Sequence, residues 1–154
     1  MIPPDHFFMR IVVIIGDTKS GKSTLIRNLT GIYKGQEVFS LGFVDGERKV
    51  FVRNSALQEY NPKQPERFLT EINELSGNPS LAIIPLRVKA AKGCPRGEDY
   101  IMALIGAGHE IELIVKLSKV EFINSALNTI SLDLSTIKPW NLRAALVRTR
   151  IGLK

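Results

Sequence analysis

Cysteine is nearly absent: Cys94 is the one thiol in 154 residues. An internal disulfide is excluded, as is a thiolate zinc cluster, and this chemistry fits a reducing, cytoplasmic setting. Long apolar runs are missing too, none reaching the roughly 18 residues that a membrane-spanning helix takes. The opening MIPPDHFFMR carries prolines and an acid where a secretory signal needs a basic start and an extended apolar stretch. Neither secretion nor a membrane span is expected. The two histidines, His6 and His109, lie far apart without an acid at ligand spacing, so they read as structural groups. Repeats, low-complexity tracts and linkers are also missing, and residues 1–154 read as one domain large enough to bury a sizeable core.

What is present is the composition of a globular protein: 44% hydrophobic and 23% charged residues. The formal charge of +6 is spread from Arg10 to Lys154 without a dense run. That spread describes the basic surface of a phosphate-binding protein better than a nucleic-acid or membrane patch. Arg143, Arg148 and Arg150 near Trp140 do not form a clean basic face, and Trp140 and Leu142 are expected to anchor their helix to the sheet.

The β-branched run at 11–15 ends at Gly16, as a strand buried on both faces would. Residues 22–29 place Leu25, Ile26 and Leu29 at helical spacing before Gly31. Two β-prone runs, 38–44 and 49–52, meet through Asp45-Gly46 and predict a hairpin. Pro65 starts a helix along Phe68, Leu69, Ile72 and Leu75; a strand follows at 81–88, a helix at 98–105 and a strand at 110–117. A short amphipathic helix at 120–127, a strand at 129–134 and a basic helix at 139–151 complete six strands and five helices. The expected architecture is α/β, a three-layer P-loop sandwich with helices on both faces of a mostly parallel six-stranded sheet whose one antiparallel edge comes from the hairpin.

Residues 16–23 read GDTKSGKS and match G-x-x-x-x-G-K-[ST] between a predicted strand and a predicted helix, which is the context the motif needs. Gly16 permits the sharp exit from the strand, Gly21 lets backbone N–H groups approach phosphate oxygens, and the helix N-terminus adds partial positive charge. Asp17, Thr18, Lys19 and Ser20 form the rest of the cradle, and Thr24 supports it. Lys22 is expected to reach the β- and γ-phosphates, and the Ser23 hydroxyl to join the coordination of Mg²⁺. The expected ligand is a nucleoside triphosphate, ATP or GTP.

The run IIGDTKSGKSTLIRNL resembles the Ras-like small GTPases, including the Gly-Asp opening of their Rab branch, and the element order is similar to theirs across nearly the whole chain. That resemblance implies a second phosphate motif, D-T-A-G-Q-E, at residues 54–60. Here Gln58 takes the place of the water-positioning glutamine, Asn54 replaces the magnesium-supporting acid, and Leu57 replaces the glycine that meets the γ-phosphate. The guanine-reading N-K-x-D has no counterpart in Lys116-Leu117-Ser118-Lys119, because a lysine at 119 offers donors only. Ser135 and Thr136 are a faint echo of the S-A-K loop. For the magnesium-capping threonine only Thr30 is available, beside Tyr33 and Lys34, and it reads as a helix end; Asp45 reads as a hairpin tip rather than a metal partner.

The functional expectation is a slow Mg²⁺-dependent NTPase with Lys22 and Gln58 as catalytic residues, a protein partner as activator, and Arg87 or Arg96 as an internal arginine. The competing expectations are a non-catalytic nucleotide-binding scaffold that has lost switching through Asn54 and Leu57, and a small-molecule or nucleotide kinase with Arg87, Lys89, Lys92 and Arg96 as a basic lid. Nucleic-acid binding ranks below all three.

Overall fold

The computed structural model describes residues 8–33, 35–59 and 61–154; His6, Lys34 and Tyr60 lie outside the described residues. The strand β1 (Arg10–Gly16) is fully buried from Ile11 onward. Its alternate side chains feed two separate cores: Val12 and Ile14 join one, and Ile11, Val13 and Ile15 join the other. Each such side chain taken out of water contributes about 1.5–3 kcal/mol, so β1 is the seam that holds three layers together.

The helix α1 (Lys22–Thr30) buries Leu25, Ile26 and Leu29 and stops at Gly31, whose φ of 83° closes the helix with an N–H bond to Arg27. The hairpin of β2 (Gln36–Phe43) and β3 (Gly46–Arg53) turns through Val44 and Asp45, and Asp45 accepts from Arg48 at 2.6 Å, as its hairpin-tip reading requires. Then come α2 (Pro65–Asn73), β4 (Leu81–Arg87), α3 (Gly97–Gly106), β5 (Glu110–Lys116), a 3₁₀ turn (Ser125–Ile130), β6 (Ser131–Asp133) and α4 (Trp140–Ile151).

The sheet order is β2-β3-β4-β1-β5-β6, parallel throughout except for the β2–β3 hairpin. Helices α1 and α4 pack together on one face with one core, and α2 and α3 on the other face with the second. Neighbours in sequence are not all neighbours in space. Strand β4, not β3, lies against β1, so the segment after β3 approaches α1 from one strand further out. The β3–β4 ladder runs only from Val50↔Leu81 to Val52↔Ile83, and Pro85 falls beyond it. A proline inside a strand is tolerated where one edge is already open.

Two expectations need correction. The helix expected at 120–127 is absent: Glu98 accepts from the N–H groups of Ile123 and Asn124, both at 2.8 Å, and the Asn124 side chain accepts from Ala126 N–H. These bonds compete with helical hydrogen bonding and leave only the 3₁₀ turn, so the described residues hold four α-helices, and β6 shrinks to three residues. Trp140 and Leu142 do not anchor α4; they are 55% and 46% exposed, and the buried stripe is Arg143, Ala144, Val147 and Ile151. No helix among the described residues is long and apolar enough to cross a membrane.

Candidate functional site

At the C-terminal end of β1 the chain must turn within a few residues into α1. A Cβ on Gly16 would stand 2.3 Å from Ser20 Oγ and 3.2 Å from Leu117 Cβ, so no side chain fits there. Ser20 N–H closes the turn onto Asp17 O at 3.1 Å, Lys19 takes φ 65°, and Gly21 sits at φ 101°, a conformation costing an L residue roughly 1–2 kcal/mol. The N-terminus of α1 has no side-chain cap, which leaves the N–H groups of its first turn facing the loop with the partial positive charge of the helix.

Lys22 folds back into this ring. Its ammonium donates to Gly16 O at 3.0 Å and Asp17 O at 2.9 Å, lies 3.6 Å from Glu59 Oε1, and the side chain is 6% exposed. Burial lowers its pKa below the ordinary 10.5, the Glu59 carboxylate raises it, and the charge of Arg87 lowers it again. Ser23 Oγ donates to Asn54 O at 3.1 Å, and Asn54 Nδ2 donates to Ile32 O. Thr24 lines the same small cleft of about 240 Å³ as Lys22, Ser23 and Glu59. Thr30 ends α1 with its hydroxyl bonded to Ile26 O.

Gln58 lies elsewhere in character. It is 0% exposed, its Oε1 accepts from Arg87 N–H at 2.9 Å, and its Nε2 donates to Arg87 O at 3.0 Å and Pro95 O at 3.2 Å. The carboxamide therefore pairs with Arg87 as a neighbouring strand would, in the gap that opens where β3 leaves β4. Leu57 is buried among Phe51, Phe68 and Tyr100, where an apolar side chain rather than a glycine is required. Glu59, absent from the sequence reading as a site residue, is the carboxylate that reaches Lys22; its only sequence signal is its place directly after Gln58.

The rest of the basic stretch disperses. Lys92 donates to Glu59 O at 3.2 Å, and Arg96 pairs with Asp99 at 3.2 Å to cap α3. Arg87, at the end of β4, pairs in register with Gly16 and has a buried Nε without a hydrogen-bond partner. Ser20 Oγ and Glu59 Oε1 are likewise buried without hydrogen-bond partners.

Beside the loop opens a wider cleft of about 590 Å³, walled by the loop itself and by the segments after β5 and β6. Ser118 Oγ accepts from Asp17 N–H at 2.8 Å, and Arg143 donates to Ser20 O at 2.8 Å and Ile137 O at 2.6 Å, fastening both walls to the loop. Lys19, Lys119 and Lys138 line this cleft, with Asp17 as its one acid; Ser135 and Thr136 lie on it as well. Asp133 stays outside, its carboxylate accepting from Ser135 N–H and held below the usual carboxylate range by hydrogen bonding to Ser135. Arg143 could not be read from sequence as part of the site, because the contact spans 123 positions.

The other sequence candidates are structural. His109 is buried with Nδ1 accepting from Met9 N–H, Cys94 is a buried free thiol, and Arg148 donates to Asn28 O and Lys154 O, tying α4 to α1. No three His, Cys, Asp or Glu side chains converge as a metal site among the described residues. No family model, curated protein or solved structure matches the chain.

Proposed function

We propose that the chain is a P-loop protein that binds a nucleoside triphosphate with Mg²⁺ and hydrolyses it slowly. The carrying observation is the closed ring of residues 16–23 at the uncapped start of α1, with the Lys22 ammonium held inside it and two buried polar atoms, Ser20 Oγ and Arg87 Nε, without hydrogen-bond partners around it. Buried polar atoms without partners cost free energy unless a ligand satisfies them. An anion is the ligand that a helix N-terminus, an ammonium and a guanidinium accept together.

Phosphates occupy the small cleft in this reading, and the nucleoside lies in the wider one. Mg²⁺ in such sites is held mainly by phosphate oxygens and water, so Ser23 Oγ would suffice as the protein ligand, and the ion would supply neutralisation of phosphate charge. Lys22 holds the phosphate chain. Gln58 is committed to Arg87, which argues for slow turnover and gives weight to the second reading, a nucleotide-binding scaffold without hydrolysis. The wide cleft is lined mainly by donors, with Asp17 on the loop as its one carboxylate among the described residues, so ATP and GTP are both admissible ligands.

Titration calorimetry with ATP, ADP, GTP and GDP, each with and without magnesium, tests the proposal. Micromolar binding of at least one triphosphate is the expected result; absence of binding by all four removes it. Release of inorganic phosphate from the bound triphosphate separates the NTPase from the scaffold.

A further inference from the structure

We propose that Arg87 is a ligand-contacting residue that grips the terminal phosphate of the triphosphate, and that Gln58 is its positioning residue. This deepens the nucleotide-binding reading and rests on it.

Arg87 is the last residue of β4, and its backbone stands level with Gly16, the first residue of the phosphate loop, on the adjacent strand. Its guanidinium Nε is buried and makes no hydrogen bond, and among the described residues no carboxylate forms an ion pair with it. The rest of the side chain is partly exposed, and a buried Nε–H without an acceptor is unfavourable in an empty site and favourable in one filled by a multiply charged oxyanion. Its charge is also felt at Lys22, which places two cations around one loop with Glu59, among the described residues, as the one carboxylate ion-paired to either. A terminal phosphate satisfies both; a ligand that ends one phosphate earlier does not extend as far beyond Lys22.

The backbone of Arg87 is fixed in an unusual way. Beyond Ile83 strand β4 has lost its β3 neighbour, and the N–H and C=O of Arg87 are both met by one side-chain amide, that of Gln58, at 2.9 and 3.0 Å. Gln58 itself is wholly buried and also holds Pro95 O. The same short segment contacts Ser23 through Asn54 O and Lys22 through Glu59. Residues 54–59 thus tie the loop lysine, the loop serine and the β4 arginine into one arrangement, a role that a degraded switch motif does not predict.

The test compares wild type, R87A, R87K and Q58L by calorimetry with triphosphate and diphosphate, using both the adenine and the guanine nucleotides with magnesium. R87A is expected to weaken triphosphate binding about tenfold or more while changing diphosphate binding less than about twofold, as loss of one charge-assisted phosphate contact would. R87K recovers part of the triphosphate affinity. Q58L shifts the same triphosphate-to-diphosphate ratio by a smaller factor, a change that simple destabilisation, which weakens both ligands equally, does not produce. Equal losses for both ligands, or no loss in R87A, overturn the assignment while leaving the phosphate loop in place. Failure of the wild type to bind any of the four nucleotides overturns both readings together.

Discussion

The two ends of the cleft are built by different means. The loop end, where phosphates would sit in the proposed reading, is made of backbone: a glycine with no room for a Cβ, a second glycine at positive φ, an uncapped helix start, and a lysine whose ammonium is folded onto loop carbonyls. The opposite end is made of side chains, chiefly lysines on the segments after β5 and β6, and the one carboxylate among the described residues lining it, Asp17, belongs to the loop. A backbone site tolerates little substitution and is specific for charge and shape. A wall of flexible lysines attracts anions broadly and discriminates weakly among bases.

The sharpest way to break this contrast is Lys22→Ala. Triphosphate affinity is expected to fall about 100-fold, roughly 2.7 kcal/mol, while the melting temperature changes little, because the removed ammonium was paying a burial penalty. Calorimetry and a thermal melt check both parts. Next in size is Arg143→Ala, which frees Ser20 O and Ile137 O and unfastens the wall from the loop. A loss of about 1.5–3 kcal/mol of stability, with about fivefold weaker nucleotide binding, is expected from the removal of charged hydrogen bonds. Chemical denaturation resolves the first part and calorimetry the second.

Glu59→Gln sharpens the comparison in the opposite direction. Removing the carboxylate that competes with phosphate for Lys22 should tighten triphosphate binding about threefold at neutral pH, an effect of the size of a partly exposed ion pair. The pH dependence has a definite sign. Burial sets the Lys22 pKa below 10.5, so affinity declines as alkali removes the proton at a lower pH than an ordinary lysine would require; Glu59 raises that pKa, so Glu59→Gln moves the decline to still lower pH. An alkaline titration of affinity in both proteins measures the displacement. The smallest effect belongs to the base: exchanging adenine for guanine should alter affinity less than about fivefold, under 1 kcal/mol, and a larger preference in either direction would show that the lysine-lined end reads bases after all.

Much of this was legible in local sequence. The strand at 11–15, the strand-to-helix turn at 16–21 and the hairpin are decided by residues within a few positions of one another and formed close to where their patterns placed them, the hairpin turning one residue earlier, through Val44-Asp45. The features that were not legible depend on distant partners. Glu98 cancels the helix at 120–127 from another element, Arg143 reaches Ser20 across the sequence, and Gln58 is claimed by Arg87 only because β3 leaves β4 early. Periodicity also misjudged α4, where the long basic side chains and the exposed Trp140 hide a buried stripe of small and branched residues. The segment 54–59 shows the difference most clearly: it departs from the D-T-A-G-Q-E pattern that the resemblance implies, yet as a structure each of Asn54, Leu57, Gln58 and Glu59 has a partner.

The central position of β1 also bears on how the chain assembles as it is made. Arg10 pairs with Leu81 on one side and with Glu110 on the other, so this apolar strand, synthesised before both of its partners, has no permanent neighbours until much of the chain has followed it. Parallel pairing over such separations is slow, and a β-branched run left unpaired meanwhile is prone to bind other chains. The loop at 16–23 comes into being only when β1 is finally enclosed, so the binding proposed for it would be a late report that the whole sheet has closed.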